Sequence, residues 1–129
     1  MNFTLKKEEK LKSRKAIENL FSDGKSFSQY PLRIVYRKST SEHHQLAVSV
    51  AKKKFKHAVD RNLLKRRLRE AYRLNKSILD NQNDRFDFIF IYLSKDKKSF
   101  LEIEEAMKII LQKLVSVSNS IEDLSPSKK

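Results

Sequence analysis

Cysteine is absent from the 129-residue chain, which excludes disulfides, thiol catalysis and cysteine-ligated zinc. No run of about 18 apolar residues occurs, and no apolar N-terminal signal, so neither a membrane span nor a secretory leader is expected. The expected setting is therefore the cytoplasm. Glycine occurs once, as Gly24, and no internal repeat is visible. Of the three histidines, His43 and His44 sit in a polar turn and His57 opens a basic stretch. No carboxylates accompany them at metal-ligand spacing, so neither a catalytic residue nor a metal ligand is assigned to the protein. Positive charge, by contrast, is abundant. Lys and Arg number 29 against 16 Asp and Glu, giving a net charge of +13 and a pI near 10.0, so the partner should be acidic. Hydrophobic residues at 39%, with eight Phe, are enough for one folded domain.

The charge is concentrated in Ala58 to Leu74, AVDRNLLKRRLREAYRL. At about 100° per residue, a helix here sets Arg61, Lys65, Arg69 and Arg73 in one row, with Asn62 and Arg66 beside it. Leu63, Leu64, Leu68, Ala71 and Leu74 fall on the far side, with Val59 and Tyr72 at the margins, as an apolar stripe. An ordinary solvated face would alternate signs. Each like-charge pair at i,i+4 costs roughly 0.2–0.5 kcal/mol, and this row stacks such pairs in succession. Arg61 also opposes the positive end of the helix dipole. A helix built this way is expected to be neutralised by a polyanion, and its excess of Arg suits phosphate. Lys52, Lys53 and Lys54 extend the cationic surface ahead of it.

Along the chain, residues 1–12 (MNFTLKKEEKLK) form a Lys-rich lead-in expected to be mobile, and Ser13 is a candidate N-cap for a short helix ending at Gly24. LRIVY (Leu32 to Tyr36) and LAVSV (Leu46 to Val50) read as strands of an antiparallel meander, with KSTSEHHQ between them as a polar turn and Phe27 to Tyr30 as either a short edge strand or a loop. After the basic helix and one further turn through Ile78 and Leu79, FDFIFIYL (Phe86 to Leu93) is apolar on both faces and should lie centrally. Ser99 and Glu102 form a capping box, and the helix they open is expected to end near Val117, leaving 118–129 disordered. The resulting reading is one α+β domain over residues 13–117, a sandwich of order αβββαβα.

At this point LAVSVAKKKFKHAVDRNLLKRRLREAYR, Leu46 to Arg73, closely resembles the signature of the bacterial ribonuclease P protein subunit. In that signature a strand ending V-S-x-K-K leads through A-V-x-R-N into a basic helix of form R-N-R-x-K-R-x-x-R-E. The flanking elements extend the resemblance over roughly residues 5 to 117. It implies a fold similar to the second domain of a small-subunit ribosomal protein, with a left-handed βαβ crossover, which handedness statistics would not give. It also implies a ribonucleoprotein endonuclease that removes the 5′ leader of precursor tRNA. The catalytic RNA subunit does the chemistry, with Mg2+ held mainly by that RNA and the substrate. Lys52, Lys53, Lys54, Arg61, Asn62, Lys65, Arg66, Arg67, Arg69 and Arg73 would then meet RNA. Ile17, Phe21, Arg33 and Tyr36 would line a cleft for the leader, where stacking platforms beside positive charge suit single-stranded RNA. Three positions depart from the pattern: Leu63 for the second Arg of R-N-R, Ala47 for a usual glycine, and Ile17 for a common phenylalanine. The rival reading is a non-catalytic RNA-binding module, such as a ribosome-associated or assembly protein. No DNA or membrane partner is expected; a groove reader would bind duplex DNA with sequence preference, whereas this chain should prefer a structured RNA.

Overall fold

The computed structural model describes residues 7–80, 82 and 84–127, with side-chain surroundings for residues 8–117 of these. Helix α1 covers Arg14–Asp23, and the strands are β1 (Lys25–Gln29), β2 (Leu32–Lys38), β3 (Gln45–Val50) and β4 (Phe86–Tyr92). Helix α2, Ala58–Asn75, lies between β3 and β4, and α3, Phe100–Ser127, closes the chain. The segment left open as strand or loop is therefore a strand, β1, paired antiparallel with β2.

The sheet order is β1-β2-β4-β3. The meander expectation is corrected here: β2 and β3 run in opposite directions but do not touch, because β4 lies between them, antiparallel to β2 and parallel to β3. Burial explains why. Phe86, Phe88, Phe90 and Tyr92 leave one face of β4 and Ile89 leaves the other, all buried, so the strand needs neighbours at both edges and cover on both faces. Skipping one position in the sheet means spanning about 10 Å at strand spacing. Residues 39–44 reach that easily at up to about 3.3–3.6 Å each.

The two faces carry unequal cores. Leu32, Ile34 and Tyr36 of β2 and the aromatic row of β4 pack under α2 and α3, against Leu64, Leu68, Ala71 and Tyr72 and against Ile103, Met107 and Ile110. On the opposite face Leu20 of α1 and Leu11 meet Val35 and Ile89, with Ala16, Ile17, Ala47 and Ile91 only partly covered. The buried arc of α2 is rotated from the expected one. Tyr72 is 1% exposed, whereas Leu74 is 37% and Val59 78% exposed. Tyr72 moves inward because its ring meets Phe88 edge-on at 5.5 Å and tilts against Phe90.

Caps fix both flanking helices. The Ser13 Oγ accepts the Ala16 N–H at 3.2 Å, and Ser99 and Glu102 bond reciprocally as a capping box. Gly24 does end α1, but with φ −75° rather than in the left-handed region. Glycine is needed there for space: a Cβ would land on the Leu20 carbonyl oxygen and 3.0 Å from both Tyr36 O and Val35 Cγ1.

Two expectations at the ends change. The lead-in is docked from residue 7 onward: Lys7–Glu9 form a 3-10 turn, Leu11 is 7% exposed, and its N–H reaches Leu46 O at 2.8 Å. Residues 1–6 of that lead-in lie outside the described residues. Helix α3 continues to Ser127 instead of stopping near Val117. Apolar periodicity is lost there, but helix propagation needs only one bond per added residue, and the first helix breaker, Pro126, comes only at the last turn.

Candidate nucleic-acid interface

Basic residues around α2 divide into those used by the fold and those turned outward. Arg61 folds back over the turn before the helix, donating to Phe55 O at 2.7 Å and Lys56 O at 2.8 Å. It thereby serves a helix start whose N-cap, His57, supplies no side-chain bond, and this role offsets its clash with the helix dipole. Asp60 on the same turn pairs with Lys97 at 3.1 Å. Arg67 points to the β4–α3 loop and donates to Lys98 O at 2.6 Å, and Lys54 donates to Leu93 O. Arg73 forks Glu70 at 2.6 and 2.9 Å, and that bond holds the Glu70 carboxyl below its usual range.

Asn62, Lys65, Arg66 and Arg69, with Lys52 and Lys53 just ahead of the helix, form the outward set. Among the described residues, Lys52, Lys53, Lys65, Arg66 and Arg69 show no ion pair or hydrogen bond. Five cations without counter-charges, on one helix and the turn ahead of it, make a concentrated positive potential. Of the expected row Arg61, Lys65, Arg69 and Arg73, the first and last bond within the protein, as does Arg67. Sequence periodicity gives a residue's direction on the helix but not which loop carbonyls stand near it.

The four cleft candidates are also divided. Phe21 on α1 is 52% exposed and Ile17 is half-buried on the same helix. Arg33 is exposed and donates to Ser26 Oγ at 3.0 Å. It alternates with Val35 and therefore faces the α1 side of the sheet. Tyr36 does not join them. It is 7% exposed on the α2–α3 side, edge-on to Phe27 and Phe86, and burial raises its pKa. The β2 residue beneath α1 is Val35, and the alternation Leu32, Ile34, Tyr36 is the signal that separates it from Tyr36.

Between the docked N-terminal segment, α1, β3 and α2 lies a cleft of about 300 Å³, lined by Lys10, Lys12 and Arg69 over Leu11, Ile17, Ala47 and Val48. The lone leucine in KKEEKLK was its sequence signal, an apolar anchor between two lysines. Of the histidines, His43 and His57 are exposed, while His44 stacks on Phe86 at 6.0 Å and accepts the Phe86 N–H at Nδ1. Burial lowers its pKa to about 4, with a contribution from Arg85. Among the described residues no three His, Asp or Glu side chains gather as a metal site, and no helix is long and apolar enough to cross a membrane.

A family model described as Ribonuclease P matches residues 5–115. The chain belongs to the ribonuclease P protein family. Similar curated relatives include the ribonuclease P protein component of Porphyromonas gingivalis, 43% identical over 114 residues and 82% of each chain. That of Petrotoga mobilis is 35% identical over 101 residues, covering 78% of this chain and 82% of the relative. Among solved structures, the RNase P protein from Thermotoga maritima is 27% identical with a TM-score of 0.70, over 81% of this chain and 96% of that one. The Staphylococcus aureus RNase P protein shares the fold, with a TM-score of 0.70 at 23% identity over 82% and 94% of the two chains. As a ribonuclease P protein, the chain is a subunit of the tRNA 5′-processing endoribonuclease.

Proposed function

We propose that this subunit binds the catalytic RNA of ribonuclease P through the outward set on α2 and the lysines before it. On this reading Lys52, Lys53, Asn62, Lys65, Arg66 and Arg69 meet RNA directly. Lys54, Arg61, Arg67 and Arg73 hold the helix and its loops in place and contribute charge. The 5′ leader of precursor tRNA runs along the α1 side of the sheet, past Phe21, Ile17 and Arg33, where the core is thin and the Phe21 ring stands half exposed. Tyr36 supports that surface from beneath. Magnesium is held by the RNA and the substrate, the protein supplies no bond chemistry, and the complex works in the cytoplasm.

The observation that carries this reading is the set of cations that, among the described residues, show no ion pair or hydrogen bond, on a helix whose opposite arc, Leu64, Leu68, Ala71 and Tyr72, is buried. Arg presents phosphate with a planar donor fork, and each neutralised phosphate releases counterions. The test is cleavage of a 5′-leader precursor tRNA at low magnesium by the protein alone, the cognate RNA subunit alone, and both together. Cleavage restored only in the mixture is the expected result. Cleavage by the protein alone would place chemistry in the protein, and no rescue of the RNA would leave a general RNA-binding module.

A further inference from the structure

The segment that carries Lys10 and Lys12 is anchored by Leu11, which is buried against Leu20, Val35 and Ile89. It has one short β-bridge, Lys10 to Leu46, the Leu11 N–H to Leu46 O bond, and the Gln45 side chain donating to Glu8 O at 3.1 Å. It is also fastened by an ion pair to a residue far along the chain. The Lys76 Nζ donates to both Glu9 carboxylate oxygens at 2.9 and 3.0 Å, with the side chains only 17% and 14% exposed. Lys76 follows the C-terminal end of α2, so this pair ties the first described turn of the chain to the far end of the basic helix. An acidic residue bordering an RNA-binding surface would ordinarily repel phosphate; here its charge is taken up by Lys76 and hidden.

We propose that the Glu9–Lys76 pair is a positioning clasp: it keeps the 7–12 segment along the β3 edge, so that Lys10 and Lys12 stand with Arg69 around one cleft that receives a backbone phosphate of RNA. The inference rests on the RNA-binding reading above. The cleft's make-up fits one nucleotide unit of a strand. Three cations flank the phosphate, and Ile17, Ala47 and Val48 give the sugar and base an apolar floor. Without the clasp only Leu11 and its bonds to Leu46 hold the segment, the two lysines are less firmly fixed beside Arg69, and a mobile cation is a weaker phosphate contact than a held one.

The test measures affinity of the full chain for its catalytic RNA subunit over a range of KCl, with thermal melts run alongside. Glu9→Ala raises the net charge, so bulk electrostatics alone would tighten binding and steepen the salt dependence. The clasp predicts the reverse. Glu9→Ala should flatten the slope of log K against log salt by about 1.4–1.8, two contacts' worth. The pair Lys10→Ala and Lys12→Ala should flatten it equally, and adding Glu9→Ala to that pair should do nothing more. Exchanging the charges, Glu9→Lys with Lys76→Glu, should restore the parent slope; this variant decides the matter if Glu9→Ala fails to fold. A Glu9→Ala protein that folds and binds with the parent slope overturns the clasp, as does an exchange that folds without restoring it. Arg69→Ala is the reference: if it alone weakens binding, the clasp is wrong and the RNA reading stands. If Arg69→Ala and the lysine pair both leave binding unchanged, the RNA reading falls and the clasp with it. A parallel titration of holoenzyme with long-leader and leaderless precursor tRNA identifies the phosphate's source. A change confined to the long leader assigns the cleft to substrate, and one seen with the RNA subunit alone assigns it to that RNA.

Discussion

The two faces of the sheet differ more than its two edges. Under α2 and α3, four aromatic side chains of β4 and three residues of β2 are sealed against two helices. Under α1, four buried residues are ringed by side chains that remain partly open. The first face makes the domain stable, and the second, only half-covered, leaves apolar surface and Arg33 accessible. Helix α2 repeats the contrast within itself, since Leu68 is fully buried while Arg69, the next residue, is exposed. Stability and recognition are separated by 100° of helix rotation, so each can be broken alone.

The largest effect should come from the sealed face. Leu68→Ala leaves a cavity that α2, pinned by Leu64 and Tyr72, closes poorly, and about 2–5 kcal/mol of stability should be lost. Chemical denaturation measures this; an unmoved midpoint would mean that the buried arc is misassigned. Gly24→Ala comes next, at about 1–3 kcal/mol, because the new methyl meets backbone oxygens that cannot step aside. Its effect should fall on α1 and its side of the sheet, seen as faster amide exchange there than in β4.

A third contrast is one of protonation. His44 accepts a backbone N–H at Nδ1, which only the neutral ring can do, and its pKa is lowered from 6.5 to about 4. The folded state binds this proton less readily than the unfolded state. The contribution is therefore whole above about pH 6.5 and is lost as pH falls toward 4 and below. With solvent screening of a partly exposed ring, roughly 1–2 kcal/mol should disappear across that window. Urea midpoints at pH 7 and pH 4.5 test it, and His44→Leu should remove the pH dependence specific to this site. The smallest stability effect belongs to Arg69→Ala, within about ±0.5 kcal/mol, yet that variant should bind the RNA subunit less tightly. Unaltered affinity would mean that the wrong face of α2 was chosen.

Much of this was legible in the sequence where the signal was local. Ser13, the Ser99–Glu102 box, the two-sided apolar run of β4 and the amphipathic arc of α2 all state their roles within a few residues. What could not be read was non-local. No feature of the 39–44 turn says that a strand from forty residues later will enter beside it, so a hairpin was the natural expectation. Arg61, Arg67 and Arg73 looked equivalent to Arg69 because the carbonyls and carboxylate that engage the first three depend on folded loops or on rotamer choice. Tyr36 looked like a platform because aromatic character is visible in a sequence and strand facing is not. Leu11 and its flanking lysines were passed over since a single apolar residue in a charged run rarely anchors anything.

The central claim is that the exposed arc of α2 and its flanking lysines neutralise RNA phosphates. Its most direct test is the salt dependence of affinity for the catalytic RNA subunit. With about six phosphates engaged, log K against log salt should fall with a slope of about −4 to −5. A slope near −1 would show that these cations are solvated rather than paired with RNA, and would contradict the account.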